Sequence, residues 1–133
     1  MPKKILYKDC EKHGLTEGYI DRSKRRKNHY TRCKKCRVDN VMSSRRRRKR
    51  KLIEHFGGAC IRCGYNPIVD ESKSLGAIEF HHRDPKEKKF GLRDSLTRSW
   101  EEDVKEAEKC DMVCANCHRE LHDEKEKQNG KVV

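Results

Sequence analysis

Three sets of residues in this chain have the types and spacing of metal ligands. Cys114 and Cys117 form a C-x-x-C pair, and His118 and His122 follow at H-x-x-x-H spacing. Two cysteines so placed let one tight turn of backbone present two thiolates to a zinc ion, and Cys60 with Cys63 supplies the second pair. His118 and His122 are i and i+4, so on a helix their imidazoles lie on one face, a turn apart. Between the cysteine pairs stand His81 and His82. Four thiolates already complete a tetrahedral zinc, which leaves the histidines to bind another ion or to move a proton near pH 7. A further set, Cys10, His13, Cys33 and Cys36, has the spacing of a zinc ribbon or knuckle. His29 competes with His13 for the fourth place, but its neighbours are basic or polar and it has no matching spacing.

The elements that must position these groups are legible in outline. Residues 3–7 read as a short strand. Residues 37–56 contain no proline or glycine and end at Gly57 and Gly58, a helix stop. The helix is expected from about residue 43, with Val41, Leu52 and Phe56 as a thin apolar stripe; a linker that orders only on DNA is the competing expectation. Ile78, Glu79, Phe80 and His81 alternate as a strand, so His81 and His82 face opposite ways and have different jobs. Residues 83–99 read as a long polar loop. Ser99 has the look of a helix N-cap, with acidic residues in the first turn and Glu102 closing a capping box. Trp100, Val104 and Ala107 form that helix's expected buried stripe, and it ends near Lys109. Met112 and Val113 are a second strand, and a last helix runs from about Asn116 or Cys117 to Lys127, with Leu121 inward. Cys110, outside any pair, reads as a small buried apolar residue. The whole is a small, zinc-stapled α+β chain in three parts: a zinc-ribbon-like module (1–36), a basic helix or linker (37–56) and a C-terminal domain (57–133).

Composition narrows the function. With 32% hydrophobic and 42% charged residues in 133, the chain cannot bury a large apolar core and needs staples. Six of its eight cysteines fall in C-x-x-C pairs, which favours metal over disulfides and a reducing, cytoplasmic setting. No signal peptide or membrane span is read. Residues 1–51 hold 20 Lys or Arg against 5 Asp or Glu, a balance of +15; residues 52–133 hold 14 against 17, a balance of −3. Seven consecutive basic residues, Arg45, Arg46, Arg47, Arg48, Lys49, Arg50 and Lys51, repel one another unless anions lie beside them, and phosphates are the natural anions. A metal carrier has no need of such a surface. Aromatic residues are only 6% of the chain, which favours duplex DNA over single-stranded RNA as the partner.

The order Cys-x-x-Cys, Glu-Phe-His-His, Cys-x-x-Cys-His-x-x-x-His over residues 57–125 resembles the zinc-stapled branch of the HNH endonucleases, and the preceding module and basic run resemble the small HNH endonucleases of bacteriophages. The resemblance implies a ββα-metal fold and metal-dependent hydrolysis of DNA phosphodiesters. It implies His82 as general base, His81 and His118 as ligands of the catalytic ion, and His122 as a third ligand. Asn116 is either the family's asparagine, displaced into the knuckle, or a helix N-cap. Many relatives have aspartate where His81 stands; histidine favours Zn²⁺, Ni²⁺ or Mn²⁺ over Mg²⁺. Arg119 is placed to clamp a flanking phosphate. The expected cofactors are one structural zinc in the C-terminal domain, a second at the N-terminus, and one catalytic divalent cation. One site cuts one strand, so a homodimer is one route to a double-strand break. The phage resemblance adds a bacterial host cell as the setting and phage packaging proteins as candidate partners. The alternative is a zinc-dependent DNA-binding protein without catalysis.

Overall fold

A computed structural model of the chain describes residues 5–22, 30–94 and 97–130. His29 lies outside them. The chain divides into two compact units, Met1–Ser44 and Arg45–Val133.

The first unit is an antiparallel meander of β1 (Leu6–Cys10), β2 (Gly14–Asp21) and β3 (Tyr30–Cys33). Cys10 pairs with Gly14 across the first turn, and Gly18 pairs with Cys33. Helix α1 (Lys34–His55) begins directly after Cys33 and continues into the second unit. It starts well before residue 43, because Cys33 and Cys36 bend the chain from β3 into the first helical turn. The basic run is therefore fully helical.

In the second unit α1 ends as Gly57 and Gly58 take φ of 97° and 79°, a left-handed exit that a Cβ would strain. Gly58 N–H closes the end on Ile53 C=O at 2.8 Å. Strand β4 (Ile78–His82) pairs antiparallel with β5 (Cys110–Cys114), with Ile78 opposite Cys114 and His82 opposite Cys110. Among the described residues β4 pairs with β5 alone, so its other edge is free. Between the strands run two short 3-10 turns, Pro85–Glu87 and Leu92–Asp94, and helix α2 (Trp100–Ala107). Ser99 caps α2 in the expected box with Glu102. Helix α3 (Ala115–Gln128) follows β5 without a loop, with Cys114 as its N-cap. Asn116 is thus an exposed residue inside the first turn and not the cap.

The core gathers Ile53, Leu75, Ile78, Met112 and Val113 around Cys60, Cys114 and Cys117, with Leu121 packed against it. Cys110 is 7% exposed, and burial pushes its thiol up to about 11, as a small apolar residue would have it. Helix α2 departs from its expected stripe. Trp100 and Val104 are half-buried, while Asp103 and Glu106, each 1% exposed, share its buried face with Ala107. A buried carboxylate needs partners. Asp103 receives Arg48 Nε at 2.6 Å and Arg98 Nε at 3.5 Å. No helix among the described residues is long and apolar enough to cross a membrane.

Candidate active site and metal centres

Cys60, Cys63, Cys114 and Cys117 converge, as do Cys10, His13, Cys33 and Cys36, each set with its ligand atoms within 4.8 Å of one another. Both sets can hold zinc. Tetrahedral zinc, with bonds of about 2.3 Å to sulfur and 2.0 Å to nitrogen, spaces its ligands about 3.5–3.8 Å apart. Cys63 and Cys114 are 3.6 Å apart, Cys10 and Cys36 are 3.5 Å apart, and His13 Nδ1 is 3.3 Å from Cys36 and 3.6 Å from Cys10 and Cys33. Gly64, at φ 74°, turns the first knuckle, and its N–H binds Cys60 C=O at 2.9 Å. Burial raises the Cys60 thiol, but the N–H groups of Cys63, Cys114 and Arg62 outweigh it and bring it down to about 6. Backbone around the cluster already favours a thiolate.

The third set is His81, His118 and His122. His118 Nε2 lies 3.1 Å from His122 Nε2, a spacing that suits two imidazoles on one ion. The ring of His81 is 4.8 Å and 5.0 Å from theirs. Burial first, then Lys125, His118 and His122, hold His81 down at about 4, so it is neutral and keeps a lone pair at pH 7. Lys125 Nζ lies 3.0 Å from His81 Nε2. Only three ligands meet here among the described residues. Structural zinc sites close with four, while catalytic sites leave a position for water or substrate.

His82 sits elsewhere, as the pleat of β4 requires. Glu79 and His81 face α3, while Phe80 packs edge-to-face on Phe56 and His82 reaches α2. His82 Nε2 is 2.9 Å from Glu106 Oε1. Burial works against the Glu106 carboxylate, yet Lys109, the Lys89 amide, His82 and the Phe90 amide together take it down to about 2. It is ionised and can only accept, so Nε2 carries a proton, and in the neutral ring Nδ1 holds the lone pair.

The same arrangement recurs twice. Glu79 binds Nδ1 of His118, which leaves Nε2 for an ion. Asp39 Oδ2 lies 3.0 Å from His13 Nε2, which aims Nδ1 at the three thiols. In each case a carboxylate fixes the tautomer and orientation of a working imidazole. The sequence reading missed all three carboxylates. Glu79 carried a signal, since it stands two residues before His81 on one strand. Asp39 carried one too, a helical turn after Cys36. Glu106 carried none, because only tertiary packing brings it to His82.

The free edge of β4 opens on a groove of about 350 Å³. His82, His118 and Glu79 line it with Arg45, Lys49, Lys88 and Arg93, over a floor of Leu52, Ile78 and Leu92. The basic run does not act as one surface. Arg48 is held within the fold by Asp103 and by the carbonyls of Arg98 and Ser99 at 2.8 and 2.7 Å. Arg50 pairs with Glu54, and Lys51 lies 4.2 Å over the Trp100 ring. Arg45, Arg46 and Arg47 are exposed, and Arg45 alone of these lines the groove. Arg119 is exposed on α3 and lies outside it.

No family model, no curated protein and no solved structure matches this chain.

Proposed function

We propose that the chain is a metal-dependent DNA endonuclease of the HNH type. One observation carries this reading. His82, held by a carboxylate, and His118, one member of a three-histidine cluster, line the same basic groove. Strands β4 and β5 and then α3, with α2 between the strands, are compatible with the ββα order that the resemblance implies. His81, His118 and His122 would hold a divalent ion, which would supply Lewis-acid charge for phosphodiester hydrolysis. His82 Nδ1 takes the proton of the attacking water as its oxygen bonds to phosphorus. Glu106 steadies the imidazolium that results. The P–O3′ bond breaks, and the oxygen is protonated from solvent, leaving 3′-hydroxyl and 5′-phosphate ends. The four-thiol and three-thiol-one-imidazole clusters hold structural zinc. Duplex DNA is the substrate, and cutting both strands takes two chains or two encounters.

Supercoiled plasmid incubated with zinc-loaded protein, with no added ion or with Mg²⁺, Mn²⁺, Ni²⁺ or Zn²⁺, tests this. Nicking by wild type with at least one added ion, and none by His82→Ala, is the expected result. DNA that shifts on a gel but stays uncut under every one of these conditions sinks the enzyme and leaves a zinc-dependent DNA-binding protein.

A further inference from the structure

We propose that the loop between β4 and α2 is a clamp for the substrate strand, with Lys88 and Arg93 on it and Lys49 across the groove seating phosphate beside the bond that is cut. This rests on the nuclease reading for its meaning, but not for its test.

The charges come first. Lys88 and Arg93 line the groove from the loop, and Lys49 lines it from α1. Among the described residues, neither Lys88 nor Arg93 has a side-chain hydrogen bond or ion pair. Lys49 reaches only the Gly76 carbonyl, at 3.3 Å. Burial, with Arg93 also opposing, lowers its ammonium below the ordinary value, although Glu79 pulls the other way. Like charges brought together over an apolar floor are costly unless an anion lies between them. A phosphodiester strand supplies one anion per nucleotide, and His82 and His118 stand in the same groove.

The mounting of the loop comes second. It is fixed by the carboxylate that holds the base. Glu106 Oε1 accepts the Lys89 amide at 2.7 Å and the Phe90 amide at 3.4 Å, besides its contact with His82. Lys109, 2.7 Å from Oε2, also donates to Glu87 C=O at 3.2 Å. Arg98 packs on the Phe90 ring at 3.9 Å, donates to Gly91 C=O at 2.9 Å, and is tied to Asp103. Residues 87–91 are therefore tied to Glu106 and its neighbours, and His82 shares that mount. A phosphate on Lys88 and Arg93 would thereby lie on the same mount as His82.

The test measures binding of a fluorescent 20-base-pair duplex to full-length, zinc-loaded protein over a salt series, with no added divalent ion. Each phosphate contact adds about 0.9 to the slope of log K against log salt. The double variant Lys88→Ala/Arg93→Ala should bind at least about tenfold more weakly at 0.15 M salt and flatten the slope by about 1.8. Restoring the charges as Lys88→Arg/Arg93→Lys should recover the slope, while zinc content stays at wild type throughout. An unchanged slope overturns the clamp, whether affinity falls or not, and so does a wild type that does not bind DNA. A slope that flattens as expected, in a protein that fails to cut DNA whichever ion is added, keeps the clamp and removes the nuclease.

Discussion

Replacing Glu106 with glutamine tests the buried face of α2 at its most demanding point. The side chain keeps its shape and one carbonyl oxygen, so the Lys89 and Phe90 amides retain an acceptor. It loses its charge, while Lys109 Nζ remains 2.7 Å from what becomes a donor group. The magnitude follows from linkage. The native carboxyl titrates at about 2 against an ordinary 4.5. A gap of that size, at 1.36 kcal/mol per unit, is about 3 kcal/mol. The sign is that of a depressed acid. The stabilisation is complete above pH 4.5 and is lost only as pH falls from there toward 2. Between pH 6 and 8 Glu106 is charged whether the chain is folded or not, so its own titration adds no pH dependence to the cost in that range. Glutamine's remaining acceptor softens the loss to about 2–3 kcal/mol, a large part of a small domain's stability. Urea unfolding of zinc-loaded wild type and Glu106→Gln at pH 6, 7 and 8 measures it. A loss under about 0.5 kcal/mol, the range of an ordinary surface change, would refute the view that Glu106 is the ionised anchor of His82 and the loop.

Three other expectations concern the metal centres. Glu79→Gln should weaken ion binding at the histidine cluster by about 10–100-fold, read by titrating Ni²⁺ into zinc-loaded protein, because His118 loses the partner that fixes its tautomer. Equal affinity would mean that Glu79 does not orient the ligand. Asp39→Ala should likewise loosen one zinc of two in a competition with a chromophoric chelator, and a release curve identical to wild type would count against its role on His13. Cys117→Ser should lower zinc content by one equivalent and unfold the second unit at a temperature where the first stays folded; intact stability without that zinc would show that the apolar core suffices without its staple.

The metal sets were the most readable part of the sequence. Ligand spacing is local, and a C-x-x-C pair has few other uses, so the two thiol clusters assemble from the residues their spacing pointed to; His118 and His122 share a helix face as their spacing required, and the third member, His81, came only from the resemblance. The alternation of β4 and the Ser99 box were readable for the same reason. The start of α1 was not. Its first turn is placed by Cys33 and Cys36, and a helix beginning on metal ligands shows neither a polar cap nor an apolar stripe. The buried face of α2 was unreadable too. Asp103 and Glu106 look like solvated charge matched to the helix dipole, and nothing nearby in sequence announces Arg48, Arg98 or His82 as their partners. The run Arg45 to Lys51 misled in the opposite direction. A uniform string of charge suggests one continuous phosphate-binding face, but a helix spreads seven residues around its whole circumference. One of them goes into an internal ion pair, one onto a tryptophan and one to a neighbouring glutamate.

The register of the small sheet has a consequence of its own. Cys114 is the last residue of β5, stands opposite Ile78, and belongs to the four-thiol cluster. Pairing in a sheet has parity: a slip of one residue turns every side chain to the other face. His81 and His82 are neighbours of identical chemistry, and only parity decides which of them meets α3 and which meets Glu106. A two-stranded ladder five residues long has little of its own with which to resist such a slip. Pinned by a metal at one end, it can keep count. The four-thiol cluster would then matter less as a weight of stability than as an index mark. Lengthening β4 by one residue between Ile78 and His81 would exchange the two histidines' roles without altering either side chain, whereas lengthening it by two would restore the faces and shift only the reach.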